Sequence, residues 1–539
     1  MSGIADHLVI APIVLPLVAG AVMLLFGERG RTAKAAINVG STLGLVAIAV
    51  ALLTSTAASS DGAAATYRLG DWPVPFAIVL VADRLSALML LLTSLLAAAA
   101  VVFSLARWHR AGAHFHSLFQ FLLMGLNGAF LTGDLFNLFV FFELMLAASY
   151  GLALHGSGPV RVRAGLHYIV VNLAASLLFL VGVSLIYGVS GTLNMADLAA
   201  RIPGIAPQSR GLLEAGAAVL ATAFLLKAGM WPLCFWLPTT YAAASPPVAA
   251  VFAIMTKVGA YIVLRLWLLL FGEAAGASAH FGGDVLLLGG LATVAFGAIG
   301  TLASQDLPRL AAHSVLVSSG TVLAAMGMGE TGVTAGALFY MVSSTLALGA
   351  LFLLVELVER GREPGADVLA VTREAYGDDD LEDEEEVGLA IPATMGMLGL
   401  AFIGCALVIA GLPPLSGFVA KFALLTAALN PAGSAGVSTA SWALLAILIV
   451  SGLAAVVAMT RAGMRSFWAS PDRAVPRVRL IEMGPVAILL ILCALQTIQA
   501  GPVMRYMHAT AQSLHTPQSY VRDVLQAEPG AEARRAGPT

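Results

Sequence analysis

Charge is scarce in this chain. Only 11% of its 539 residues are Asp, Glu, Lys or Arg, less than half of the roughly 25% usual in a globular domain. Lysine is rarer still, with four copies, Lys34, Lys227, Lys257 and Lys421. There is no basic surplus, since the formal net charge is −3. That argues against a nucleic-acid surface. There are three cysteines, Cys234, Cys405 and Cys493, each in an apolar run. Their spacing fits no zinc, haem or iron–sulfur pattern, so they read as small hydrophobes. The sequence holds no phosphate-binding loop, no dinucleotide fingerprint and no HExxH. An ATP-driven pump and a chain that itself oxidises a nicotinamide are disfavoured. No catalytic residue, metal site or cofactor is expected. Met1–His7 carries no Lys or Arg, so the first apolar run reads as a retained span rather than a cleaved signal.

Apolar residues are abundant instead. They make up 59% of the chain, and the mean hydropathy is +0.90. Too little polar surface remains to cover a soluble body of this size, which points to a polytopic membrane protein in a lipid bilayer. A spanning helix needs about 20 mostly apolar residues. Fourteen such runs are present, with cores near 9–26, 35–54, 80–104, 115–132, 135–153, 165–188, 212–236, 247–271, 284–302, 311–328, 333–358, 392–428, 441–460 and 483–501. Irregular backbone does not face lipid, so an all-α bundle is expected.

Lys and Arg set the orientation. The odd loops hold sixteen of them, among them Arg29, Arg31, Lys34, Arg107, Arg110, Arg161, Arg309, Arg360, Arg461 and Arg479. The even loops hold three, Arg68, Arg201 and Arg210. The odd loops are therefore expected in the cytoplasm, with both termini outside. One segment looks soluble: 360–388 carries eight acids among the nine residues from Asp378 to Glu386. It reads as a solvated loop, because salt screens exposed charge beyond about 8–10 Å. The stretch Tyr506–Leu525 is amphipathic and suited to lie along a membrane surface.

Against this background four charges stand inside apolar runs: Glu143, Lys227, Lys257 and Lys421. Each costs about 2.5–3.5 kcal/mol at the centre of a span. They either pair to hold helices together or line a hydrated polar path. Lysine suits the second role. A desolvated amine releases its proton more readily, and a carboxylate nearby opposes that release. Arginine stays protonated, and the arginines keep mostly to the loops. Lys227 (FLLKAGMWPLCFWLP) and Lys421 (GLPPLSGFVAKFALL) each stand close to prolines, Pro232 in the first case and Pro413 and Pro414 in the second. Proline frees helix carbonyls, and paired interruptions of this kind mark ion sites in transporters. His313 is a candidate relay group or a packed histidine. Asp134 reads as an N-cap. Asp83 and Arg84 read as a local pair, Arg265 as a snorkelling side chain, Lys34 as a loop residue and Glu356 as solvated.

Four stretches carry a resemblance: LFVFFELMLAASYGLALHG, LLKAGMWPLCFWLPTTY, SPPVAAVFAIMTKVGAYIVLR and GLPPLSGFVAKFALL. They resemble the proton-translocating antiporter-like subunits, a family shared by respiratory complex I and Mrp-type cation/proton antiporters. Within it the chain is most similar to the Mrp D-type subunits. The resemblance covers about residues 80–430. It implies 14 helices, with two inverted five-helix repeats and broken helices 7 and 12. The N-terminal helices would then occupy 1–114, the repeats 115–271 and 284–460, and the last helix and tail 461–539. It also implies a proton pathway through Glu143, Lys227, Lys257 and Lys421. Relatives often have His where Cys234 and Ser343 stand. A step from Lys257 to Lys421 would then need water or the Ser343 and Ser344 hydroxyls.

The function implied is proton translocation in a multisubunit Na+(K+)/H+ antiporter, with A, B, C, E, F and G type subunits as partners, in a bacterial inner membrane. Three readings remain beside it. One is a proton-pumping subunit of an NADH:quinone oxidoreductase or membrane-bound hydrogenase. The others are a scaffold that only holds partners and a free-standing secondary transporter.

Overall fold

The computed structural model describes residues 7–27, 30–58, 63–112, 114–360, 393–431, 436–467 and 476–526. The acidic run Asp378–Glu386 and residues Arg29, Arg362, Arg373 and Arg473 lie outside these. The described chain is a helical bundle: α1 (Ala11–Leu25), α2 (Arg31–Ala58), α3 (Arg84–Ser104), α4 (Phe115–Leu131), α5 (Leu135–Ala153), α6 (Pro159–Ser190), α7 (Met195–Arg201), α8 (Pro207–Ala228), α9 (Leu237–Ala243), α10 (Pro246–Leu270), α11 (Gly283–Ala303), α12 (Leu307–Gly327), α13 (Thr331–Glu359), α14 (Ala393–Ala410), α15 (Ser416–Leu429), α16 (Thr439–Phe467), α17 (Leu480–Ile498), α18 (Ala500–His515) and α19 (Gln518–Leu525). Among the described residues, twelve helices are long and apolar enough to cross a membrane, and α1, α4 and α15 are shorter apolar helices. The chain is an integral, multi-pass membrane protein.

Local chemistry starts these helices. Asp83, Asp134, Asn194 and Asp306 cap their N-termini through the side chain, accepting from N–H groups that have no partner within the helix. The expected N-cap at Asp134 is thus present. Pro159, Pro207 and Pro246 sit at first positions, where their missing N–H costs nothing. The run at 80–104 opens as a strand. β2 (Val79–Ala82) pairs antiparallel with β1 (Ala65–Arg68), from Ala65↔Ala82 to Arg68↔Val79.

Burial sorts the helices into two shells. α10 and α13 are enclosed over nearly their whole length. α6 and α16 each bury one face and turn an apolar one outward, for example Leu173, Leu177 and Val181, or Ile449, Val450 and Leu453. Those faces suit lipid. The tail helices α18 and α19 bury Met507, Ala511, Leu514, Tyr520 and Val524 against the bundle itself.

Several charges differ from the sequence reading, most of them because a partner is remote in the chain. Asp83 pairs with Arg265, in two bonds of 2.6 and 2.7 Å, while Arg84 donates to the Thr56 carbonyl. Arg265 is therefore buried rather than snorkelling, with the Tyr520 ring 5.1 Å from its guanidinium. Glu356 is buried too. It accepts from the Trp108 indole at 2.6 Å and pairs with Arg360 at 2.8 Å. Arg360 in turn bonds Glu482 at 2.6 Å, tying the end of α13 to the start of α17. Lys34 lies in the first turn of α2, buried at 7% exposure.

Burial raises the Asp83 carboxyl, but the charge and hydrogen bonds of Arg265, with those of Ser86, outweigh it and hold the group below its ordinary value. The stabilisation is present at neutral pH and is lost as the pH falls through that depressed value. Asp83→Ala leaves Arg265 buried and unpaired, at a cost of roughly 3–5 kcal/mol. A clear fall in the thermal midpoint of the detergent-solubilised protein is expected. An unchanged midpoint would show the clamp to be dispensable.

Candidate functional site

The interruptions that the prolines foretold share one construction. The helix α8 ends on Ala228-Gly229-Met230-Trp231-Pro232, and α14 ends on Ala410-Gly411-Leu412-Pro413-Pro414. Gly229 and Gly411 take φ of +74° and +78°, a left-handed turn that suits glycine. The next N–H then reaches back five residues, Met230 to the Leu225 carbonyl and Leu412 to the Leu407 carbonyl, each at 2.9 Å. This is the Schellman ending. The chain resumes as helix at Leu237 and Ser416. The 392–428 run is accordingly two helices.

Each ending leaves carbonyls without an intrahelical donor. At the first break, the Trp236 indole donates to the Leu226 carbonyl at 3.3 Å, and the Ser319 hydroxyl donates to the Ala228 carbonyl. At the second, the Lys421 ammonium donates to the Ala410 carbonyl at 2.9 Å. Ala228 and Ala410 hold the same place before their glycines. One is served by a neutral hydroxyl and the other by a cation. The negative end of a helix favours the cation. Gly452 passes beside this contact, and a side chain there would begin 3.5 Å from the Lys421 nitrogen.

Lys227 lies two residues before its glycine and faces the other way. It is 1% exposed. Its ammonium donates to the Asn172 amide oxygen at 3.1 Å and to the Tyr168 hydroxyl at 3.3 Å, both on α6. The Phe142 and Tyr168 rings flank it at 5.9 and 5.3 Å. Tyr168 shares a 2.7 Å hydrogen bond with Ser149 of α5. Glu143, six residues before Ser149 on α5, interacts electrostatically with both Lys227 and Tyr150. It makes no direct ion pair with Lys227, and its Oε1 is buried without a hydrogen-bond partner. The carboxylate and the ammonium are thus within each other's field but not locked together.

Lys257 is fully buried on α10. Its ammonium donates to Ser318 of α12 at 2.8 Å. Ser318 shares a 2.7 Å bond with Ser344 of α13. The neighbouring Ser343 shares a 2.7 Å bond with Ser416, the first residue of α15. Ser318, Ser343 and Ser344 line one small cavity together with Tyr340, Gly417 and Ser451. His313 takes no part in this chain. Its Nδ1 meets the Arg309 carbonyl at 2.9 Å and the Ser304 hydroxyl at 3.3 Å.

Tyr168, Asn172, Ser149, Ser318 and Ser416 belong to these hydrogen-bonded arrangements, and the sequence reading did not single them out. Tyr168 and Asn172 lie four apart in an apolar span, a spacing that puts both on one helix face. Among the described residues, no group of three or more His, Cys, Asp or Glu side chains is placed to hold a metal ion.

Comparison with known proteins bears on this arrangement. Residues 132–449, well over half the chain, match the family model described as NADH:quinone oxidoreductase/Mrp antiporter, TM. The chain belongs to this family. Glu143, Lys227, Lys257, Lys421 and the serine pairs fall within the matched residues. The D-type subunit of a probable K+/H+ antiporter of Rhizobium meliloti is 62% identical over 98% of this chain and 99% of its own length. The D-type subunit of a Na+/H+ antiporter of Alkalihalophilus pseudofirmus is 32% identical over 97% and 100%. A chain of the Mrp complex structure from Dietzia sp. superposes with a TM-score of 0.80 at 26% identity, over 96% of this chain and 99% of that one. The resemblance to the Mrp D-type subunits is thereby borne out. Both of the D-type relatives are named as antiporter subunits, transporter components rather than enzymes.

Proposed function

We propose that the chain is the D-type component of a multisubunit Na+ or K+/proton antiporter and that it conducts protons along Glu143, Lys227, Lys257 and Lys421. The D-type relatives support the first part. The observation that carries the second is the set of three buried ammonium groups, each held by neutral oxygen rather than by a carboxylate. A lysine locked in a tight ion pair would be a strut. A lysine on a hydroxyl, an amide or a carbonyl can surrender a proton without breaking a charge pair. Glu143, near Lys227 but not bonded to it, biases its charge state.

In this reading Tyr168 and Asn172 hold the Lys227 ammonium on the α6 side while Glu143 sets the surrounding field. Lys257 receives the proton and passes it through the α13 hydroxyls, and Lys421 takes it up at the broken helix. The repeats 115–271 and 284–460 would each house one break. A, B, C, E, F and G type subunits complete the complex, which sits in a bacterial inner membrane with both termini outside. The proton gradient would drive efflux of the metal cation.

Everted vesicles test this. Vesicles carrying the whole operon should exchange Na+ or K+ for protons, and deletion of this gene should abolish the exchange. The purified chain alone in liposomes should show no Na+-dependent proton flux. Such a flux would sink the multisubunit reading.

A further inference from the structure

Between Lys257 and Lys421 no described side chain of the hydrogen-bonded chain is titratable near neutrality. Two serine pairs stand there instead. Ser318–Ser344 starts at the Lys257 ammonium, and Ser343–Ser416 ends at the first residue of the helix that carries Lys421. Ser343 and Ser344 are adjacent in sequence, so their side chains leave α13 about 100° apart. The cavity lies between the pairs. Its volume for a water-sized sphere is about 10 Å3, near the roughly 10–15 Å3 that one water requires. Its walls bring three hydroxyls of the two pairs together with Ser451, the residue before Gly452. A water there finds the several polar partners it needs.

We infer that this cavity binds a single water which joins the two serine pairs, and that the resulting hydroxyl chain carries protons from Lys257 to Lys421 while excluding metal cations. The inference rests on the proton-relay reading above and adds Ser318, Ser416 and the water site to it. The transfer balances as a hop of hydrogen-bond partners. The Lys257 ammonium gives one proton to the Ser318 oxygen. Ser318 passes its own hydroxyl proton to Ser344, and the shift continues through the water and the Ser343–Ser416 pair. The last hop, from Ser416 to Lys421 five residues on, has no direct hydrogen bond in the structure and needs a further bridging water, after which Lys421, neutral beforehand, becomes the ammonium. Every hydroxyl ends with one proton, Lys257 is left neutral, and the hydroxyls rotate back before the next passage. A hydroxyl chain suits this because each oxygen both donates and accepts.

The same geometry turns away Na+ and K+. The space holds one water, too little room for Na+ or K+ with a hydration shell. Among the described residues, no carboxylate lines the cavity. The Lys257 ammonium is one hydroxyl away and repels a second cation. On this reading the metal ion does not take this route.

The experiment uses the whole complex in everted vesicles, with exchange normalised to inserted protein. Ser318→Ala and Ser344→Ala should each lower exchange at least about tenfold, the lower end for a lost proton-transfer group being some 10²-fold when no water substitutes. Ser318→Thr keeps the hydroxyl and should retain most of the activity. Ser451→Val fills the cavity, leaves both serine pairs intact and should lower exchange as far as Ser318→Ala does. Near-normal exchange in Ser318→Ala beside an inactive Lys257→Ala would overturn the hydroxyl link and leave the lysine relay standing. Equal loss in Ser318→Thr and Ser318→Ala would reduce Ser318 to a packing residue. Near-normal exchange in Lys257→Ala would overturn the relay itself, and the link with it.

Discussion

Vesicles carrying Lys227→Ala should lose nearly all cation/proton exchange, about 10²-fold or more, the scale of removing a positioned proton donor. The protein should still insert. A central lysine opposes insertion by about 2.5–3.5 kcal/mol, and the substitution removes that cost. What it deletes is the ammonium between Asn172 and Tyr168. Lys227→Arg separates charge from titration. The guanidinium keeps a cation in place, close to the same rings, but does not release its proton near neutral pH. Loss in both variants therefore assigns the effect to proton transfer. Recovery in the arginine variant would assign it to charge alone. Glu143→Ala removes the carboxylate whose field reaches Lys227 without breaking a direct bond, so it should uncouple exchange while leaving thermal stability close to the parent's. Normal exchange in both Glu143→Ala and Lys227→Ala would leave these charges as structural features only.

The order of the spans was legible because a lipid-facing helix must be apolar over its length. Most helix ends fall within a few residues of the apolar runs. The errors are local and have causes. Hydropathy alone does not see a left-handed glycine, so 392–428 read as one span although Gly411 ends α14. The shared pattern, Ala-Gly followed three residues later by proline, stands in the sequence at both breaks and marks them better than proline alone. Partners were less legible than sites. Lys227, Lys257 and Lys421 announce themselves as charges in apolar runs. Serine does not, since it is ordinary in membrane helices, so Ser318 and Ser416 emerge only when α12, α13 and α15 are packed together. The Asp83–Arg265 clamp joins positions 182 residues apart, and no local pattern signals it. Asp83 beside Arg84 suggested a neighbour pair instead. The spacing of Tyr168 and Asn172 could have been read, because two polar groups one turn apart on a lipid-spanning helix need a buried partner.

Lys421 differs from Lys227 in what holds it, and that difference makes its substitutions informative. Its ammonium donates to the Ala410 carbonyl at the end of α14, where the helix presents its negative pole. Lys421→Ala removes both the proton acceptor and the donor to that carbonyl. Exchange should be nearly abolished, and the unserved carbonyl should lower stability by about 1–3 kcal/mol. Lys421→Glu is the sharper case. A protonated carboxyl is a neutral donor and can take the place of the ammonium at Ala410. An ionised one faces a carbonyl and a negative helix end, and is repelled. The variant should therefore keep partial exchange, with its pH profile displaced towards acid relative to the parent, since only the protonated form fits. Lys421→Arg retains the cation and the contact but not the release, and should be as inactive as the alanine variant while remaining more stable. Exchange measured across pH in everted vesicles, beside thermal midpoints of the solubilised protein, resolves the three. Full activity in Lys421→Arg would show that this position serves as a helix cap and not as a proton site.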